Sequence, residues 1–254
     1  MPTMAVHVTD HSGVRTVVLD RPEVRGAVDG EHATLLREAF EELEARDDLS
    51  VGILTGSEGH FCAGADLKAV SAGVMPVYDP GKGPGPMGPT RLRLSKPVIA
   101  AVEGNAVAGG IELALWCDLR VASETAVFGV YCRRWGVPLI DGGTIRLARI
   151  VGQGRAMDMI VTGRGVDAHE ALQMGLANKV APAGQALAVA QDWAAQIAAL
   201  PQRCLRNDRM SMLEQWSMTE DDAIANEWRH GMDSLSAGLD GAARFVSGEG
   251  RHGA

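Results

Sequence analysis

Two stretches of the chain are built to bring backbone amides close to a ligand. The first is Phe61-Cys62-Ala63-Gly64-Ala65-Asp66-Leu67-Lys68, and the second is Gly104-Asn105-Ala106-Val107-Ala108-Gly109-Gly110-Ile111-Glu112-Leu113. Each follows a predicted strand and opens a predicted helix. Small residues at such a junction let another molecule approach the main chain. The first amides of a helix have no internal acceptor, so they are free to donate to an anion. Two such junctions side by side would form an oxyanion hole, although composition does not say whether they converge. Other chemistry is less well supplied. Cys62, Cys117, Cys132 and Cys204 have no CxxC spacing and no His/Cys cluster around them, which argues against zinc and for free thiols in a reducing compartment. Gly83, Gly85 and Gly88 spell a literal GxGxxG, but prolines fill two of its variable positions and no strand leads into it. It reads as a loop and not as a dinucleotide site.

The elements that must position these turns alternate between strand and helix. Val6–Val8 and Val14–Leu19 pattern as a hairpin around a turn at His11–Gly13. Leu35, Leu36, Ala39, Phe40 and Leu43 recur at helical spacing within Glu31–Ala45. Strands are expected at Val51–Thr55, Val98–Val102, Leu119–Ala122 and Val127–Gly129. Gly143 begins a mainly helical half, with helices at 144–150, 155–161, 168–174, 183–199 and 219–235. Residues 73–90, dense in Gly and Pro, are expected to form a mobile loop or lid. The fold class is α/β, with a helical tail beginning near Pro201.

Composition narrows the function. With 254 residues, 46% hydrophobic and 22% charged, the chain has ample length for a buried core and is neither fibrous nor disordered. A net charge of −8 and a pI near 5.4 argue against nucleic-acid binding, which needs a basic face. No apolar run approaches the ~18 residues of a membrane span. The start, MPTMAVHVTD, lacks the basic and apolar parts of a secretory signal, so a cytoplasmic location is expected.

The two glycine turns, FCAGADLK and GNAVAGGIELALWCD, are followed by Gly142, Gly143, Thr144, Arg146, Leu147, Arg149, Val151 and Gly152 in a GG-T-x-RL-x-R-x-VG pattern. Arg21-Pro22 with Ala27, and Ala168-x-x-Ala171-x-x-x-Gly175-Leu176-Ala177-x-x-Val180, fit in the same order. Together these resemble the enoyl-CoA hydratase/isomerase family, the crotonase superfamily, over about residues 5–200. The resemblance implies a crotonase-like ββα spiral with a CoA-thioester site over residues 1–200. It implies a C-terminal helical trimerisation region over 201–254, and a homotrimer or dimer of trimers. It implies no cofactor beyond the coenzyme A carried by the acyl-CoA substrate, and neither metal nor membrane partner. By the same resemblance the amides of Ala65 and Gly109 bind the thioester oxygen, and Glu112 is the catalytic acid/base. Ala63, Asp66, Leu67 and Lys68 line the substrate and CoA path, with Lys68 and the weaker candidate Arg25 near the CoA phosphates. Outside the resemblance, Glu112 could simply complement the dipole of its helix, and Asp66 reads as a helix cap.

The chain departs from the family at one catalytic position. Where a second glutamate is expected stands Cys132, a poor replacement for a carboxylate that activates water. It reads better as an inert buried thiol than as a nucleophile. Asp141, in Pro138-Leu139-Ile140-Asp141-Gly142-Gly143, is the next carboxylate available. Two readings of it stand even: a catalytic acid in this loop, or an N-cap for the helix near Thr144. The expected reaction is addition of water to a trans-2-enoyl-CoA, giving a 3-hydroxyacyl-CoA. The alternatives are a one-glutamate double-bond isomerase and a non-catalytic CoA-thioester-binding protein. His60 reads as a surface-turn residue, and Arg133, Arg134 and Arg146 as phosphate contacts or ion-pair partners.

Overall fold

The computed structural model describes residues 6–248, so residues 1–5 and 249–254 of the two expected units lie outside it. The chain opens with a hairpin, β1 (Val6–His11) and β2 (Val14–Leu19). Ser12 and Gly13 turn it with φ of 49° and 78°, the left-handed pair that suits a two-residue hairpin. Helix α1 (Gly30–Ala45) starts at Asp29, whose side chain accepts from the His32 amide at 3.0 Å. Strand β3 (Val51–Gly56) and the short helix α2 (Leu67–Ser71) follow. Next come β4 (Val98–Val102), β5 (Asn105–Val107), α3 (Gly109–Trp116), β6 (Leu119–Ser123) and β7 (Val127–Gly129). The later half holds α4 (Gly143–Val151), α5 (Gln153–Thr162), β8 (Gly165–Asp167), α6 (Ala168–Gln173) and β9 (Lys179–Ala181). Helices α7 (Ala186–Ala198), α8 (Gln202–Glu214) and α9 (Glu220–Val246) close the chain.

The main sheet runs β1-β2-β3-β4-β6-β9, parallel except for the opening hairpin. Its central strand β4, Val-Ile-Ala-Ala-Val, reads as a continuous apolar run because both faces are covered. Val51, Ile53, Ile99, Ala101 and Val121 turn to one side, where Ala186, Ala190 and Ala194 form a flat alanine seam along α7. Leu54, Ala100 and Val102 turn to the other side and join a core with Leu36, Phe40 and Leu43 of α1 and Ile111 and Leu115 of α3. Each large aliphatic or aromatic side chain buried there contributes about 1.5–3 kcal/mol. Packing is tight enough that a Cβ on Gly52 would lie 2.7 Å from a Leu43 methyl. A second sheet, β5-β7-β8, sits where the functional turns meet.

Helices α8 and α9 pair in antiparallel fashion through Arg203–Asp233 at 2.6 Å and Glu214–His230 at 3.0 Å. Arg209 ties the pair to the body by an ion pair with Asp118 at 2.9 Å. The expected strands and most helices are present, but α8 and the three-residue strands β5, β8 and β9 were not anticipated. Helix α7 starts three residues later than expected, since Pro182–Gln185 forms a turn closed by the Gln185 amide on Pro182 O at 3.0 Å. Among the described residues no helix is long and apolar enough to cross a membrane.

Candidate active site

The two glycine turns do converge. Cys62 pairs with Ala106 in an isolated bridge: the Cys62 amide donates to Asn105 O at 2.8 Å, and the Val107 amide to Cys62 O at 3.0 Å. Gly64, at φ 101°, sits against the second turn, where a Cβ would lie 2.8 Å from Ala108 Cβ and 2.9 Å from the Gly109 nitrogen. Gly110 is pressed as closely, since a Cβ there would collide with Cys62 O. These two glycines allow a contact that no side chain would permit. Ala108 is held at φ 54° and ψ −123°, a conformation that costs a non-glycine residue about 1–3 kcal/mol and tends to mark a functional turn.

Both turns leave an amide unspent. Ala65 bridges Val28 in parallel, with bonds from Val28 N to Gly64 O and from Asp66 N to Val28 O, each 2.8 Å. That pattern turns the Ala65 N–H away from Val28. Gly109 supplies the first amide of α3 and has no acceptor one turn earlier. Ala65 and Gly109 line the same cavity of about 540 Å³.

Glu112 and Asp141 also line it, buried at 2% and 4% exposure. Glu112 lies in the first turn of α3, and its Oε1 accepts the Asp141 and Gly143 amides at 2.8 Å each. Its Oε2 accepts nothing from the described chain. Gly143 has to be glycine for this contact, as a Cβ would come within 2.8 Å of Glu112 Cγ. Burial, with the Asp141 charge beside it, pushes the Glu112 carboxyl up to about 7. Asp141 is not a helix cap: α4 is capped by Gly142 without any side-chain bond. Its Oδ1 instead accepts the Met87 amide at 3.1 Å and the Thr90 hydroxyl in a short hydrogen bond. Burial raises the Asp141 carboxyl as well, while those two hydrogen bonds pull it back down.

The Gly/Pro segment therefore has a positioning task. Gly85 and Gly88 close a tight turn, with the Gly88 amide on Gly85 O at 2.9 Å, and a Cβ on Gly85 would strike both Thr90 Oγ1 and Asp141 Oδ1. Arg91 holds the turn through Tyr78 O, Gly83 O and Pro84 O at 2.8–3.1 Å. Arg146 joins the two loops that meet at Asp141, donating to Asp141 O at 2.7 Å and Thr90 O at 2.6 Å. Met87, Thr90 and Arg146 were not singled out for this part. Only the Gly–Pro density of their segment distinguished the first two, and the acceptors of Arg146 are carbonyls with no sequence signature.

Cys132 is 5% exposed, in a 3-10 turn (Tyr131–Trp135), and lines the cavity. Burial and then the Glu112 charge hold its thiol above the ordinary range, so it is neutral. Ala63 and Leu67 line the cavity too. Asp66 caps α2, accepting the Lys68 amide at 2.9 Å. Lys68 and Arg25 are exposed and outside the cavity wall; Arg25 is adjacent through its carbonyl, which accepts the Ala63 amide at 3.0 Å. His60 is only partly exposed, with a buried Nδ1 that has no partner. Arg134 stacks on Tyr131 at 4.0 Å and Arg133 donates to Ile160 O, so neither forms the expected ion pair in this chain.

Comparison with known proteins places the chain in a family. Residues 9–237 match the family model described as enoyl-CoA hydratase/isomerase, so the match runs well into the helical tail. Enoyl-CoA hydratase EchA19 of Mycobacterium tuberculosis is 38% identical over 215 residues, covering 82% of this chain and 80% of the relative. Carnitinyl-CoA dehydratase of Proteus mirabilis is 38% identical over 198 residues, covering 77% and 75%. The crystal structure of enoyl-CoA hydratase EchA1 from Mycobacterium marinum superimposes with a TM-score of 0.90 at 32% identity, covering 96% of each chain. The chain belongs to the enoyl-CoA hydratase/isomerase family and has the crotonase fold.

Proposed function

We propose that this member of the enoyl-CoA hydratase/isomerase family adds water to a trans-2-enoyl-CoA, with Glu112 and Asp141 as its two working carboxyl groups. One observation carries the reading: both carboxyls share a cavity with the two unspent amides of Ala65 and Gly109. Those amides donate to the thioester oxygen. Negative charge grows on that oxygen in the transition state, so donors fixed there lower the barrier selectively. Asp141, the more readily ionised of the pair, takes a proton from water as its oxygen bonds to C3. The C2=C3 electrons move toward the thioester as an enolate. Glu112, which keeps its proton to about pH 7, delivers it to C2. The proton on Asp141 returns through solvent to Glu112, and the sum is one water added.

Cys132 stays a neutral wall of the site. Leu67 and Ala63 flank the acyl path, Asp66 braces α2, and the exposed cations Lys68 and Arg25 stand ready for the CoA phosphates. The substrate carries its own coenzyme A, and no further cofactor enters the scheme. The exposed apolar residues of α9, such as Trp228 at 69% and Leu239 at 66%, suit a homotrimer or a dimer of trimers. The four free thiols suit the cytoplasm.

The test is an absorbance assay of the conjugated thioester with a 2-enoyl-CoA and a 3-enoyl-CoA of equal length. Loss of the signal from the first is expected. A gain from the second alone identifies an isomerase, the reading that the thiol at 132 favours. Binding without either change identifies a non-catalytic CoA-thioester-binding protein.

A further inference from the structure

The cavity wall beyond the carboxyl pair is apolar on every side. Leu67 and Val70 come from α2, Val77 from the Gly/Pro segment, Met87 from the turn that holds Asp141, and Trp135 and Ile140 from the two sides of Pro138. Several of these are far more exposed than their chemistry favours: Trp135 at 73%, Val77 at 63%, Leu67 at 48% and Ile140 at 42%. Scattered apolar residues on a surface need no explanation, but a contiguous set lining a cavity of this size marks a ligand groove. This set is continuous with the reaction centre, because Leu67 follows Ala65 by two residues and Ile140 precedes Asp141. The cavity side chains with a polar atom are Glu112, Asp141, Cys132, Tyr131 and Trp135, and the Arg134 guanidinium stacks on the Tyr131 ring at 4.0 Å. The Tyr131 hydroxyl and the Trp135 indole N–H are uncharged, so a charge farther along an acyl chain finds no ionised partner on this wall.

We infer that the site takes acyl-CoA thioesters with an extended apolar acyl group, whose carbons beyond C4 lie along Leu67, Val70, Val77, Trp135 and Ile140. The inference deepens the proposed function and rests on the same thioester site. A two-carbon unit past C3 leaves most of the roughly 540 Å³ unfilled, whereas a chain of eight or more carbons covers the exposed wall. Full burial of each methylene tightens binding about fourfold, and half burial about twofold. Four added methylenes therefore gain between about 10-fold and 200-fold.

The experiment uses the full chain in its native oligomer. Saturated butanoyl-, octanoyl- and dodecanoyl-CoA are titrated by calorimetry, and the matching trans-2-enoyl-CoAs are assayed for turnover. Crotonobetainyl-CoA, the unsaturated partner of carnitinyl-CoA, is included as the charged short-chain probe. The expected result is a Kd at least tenfold lower for octanoyl- than for butanoyl-CoA, with kcat/KM rising in parallel. Trp135→Ala and Val77→Asp should each weaken octanoyl-CoA binding more than butanoyl-CoA binding, bringing their Kd values closer together. A wild-type Kd ratio near one overturns the inference. Best turnover with crotonyl- or crotonobetainyl-CoA overturns it too. The two proposals fail separately: a rising affinity ladder without hydration leaves the substrate class standing and removes the reaction, while hydration with a flat ladder does the reverse.

Discussion

Replacing Glu112 with glutamine should remove activity and at the same time stabilise the protein above neutral pH. The carboxyl is buried at 2% exposure and its proton is held to about 7 instead of the ordinary 4.5. A group whose folded-state pKa is raised binds more protons folded than unfolded above pH 4.5. Wild-type stability therefore falls as pH rises from about 4.5 to about 7, then levels. A shift of that size corresponds to about 3 kcal/mol of burial cost once the group is charged. Glutamine keeps the shape, and its Oε1 can still accept the Asp141 and Gly143 amides. It never becomes charged, so the loss with pH disappears. Urea unfolding of both proteins at one fixed concentration, at pH 5 and pH 8, measures the difference directly. The variant should match wild type within about 1 kcal/mol at pH 5 and exceed it by about 2–3 kcal/mol at pH 8. In a thermal scan at pH 8 the gap is roughly 5–10 °C for a chain of this length. Parallel stability curves would show that Glu112 is not the perturbed group. Wild-type turnover in the variant would remove it from the chemistry.

The pH dependence of kcat/KM should be bell-shaped: activity needs Asp141 ionised and Glu112 protonated, so it falls above about 7, and a profile that rises through 7 would exchange the two roles. Thr90→Val removes a hydrogen bond to a charged acceptor and should lower kcat by roughly 10- to 100-fold. It should also move the acid limb of the profile upward, and Thr90→Ser should restore both. Gly85→Ala should mimic Thr90→Val without touching substrate, because its Cβ would push Thr90 Oγ1 and Asp141 Oδ1 apart; an unchanged pH profile would mean that this turn does not set the position of Asp141.

The strand and helix pattern was legible wherever an element was long enough to show a period. Val98–Val102 was read to the residue, and α1 to within one, because burial on fixed faces writes itself into the apolar spacing. Strands β5, β8 and β9 have three residues each and were not legible, whereas the equally short β7 was read to the residue. In α8 the residues Gln202–Glu214 are mostly polar and none is buried, so no apolar stripe announced the helix. The glycine turns were legible as turns, but their convergence was not, since it depends on the pairing of Cys62 with Ala106 across 44 residues of chain. Asp141 was harder still. Aspartate before a helix usually caps it, and the bonds that hold it elsewhere come from Met87 and Thr90, more than 50 positions away.

A neutral thiol at 132 suits a cavity that already holds Glu112 and Asp141. Two carboxyls already share the cavity, and the Asp141 charge makes the buried Glu112 harder to ionise. A third carboxylate on the wall now occupied by Cys132 would add like charge to the same site. A neutral thiol avoids this. Cys132→Glu alone should push Glu112 higher, shift the upper limb of the pH profile upward, and lower stability at pH 8 relative to pH 5. Combined with Asp141→Asn, the same glutamate should recover both stability and hydration, because the site again holds two carboxyls. Equal activities for the single and double variants would mean that a third carboxyl in the site carries no penalty. The pH profiles of wild type, Cys132→Glu and the double variant decide the matter, since a loss from misfolding lowers the amplitude without moving the limbs.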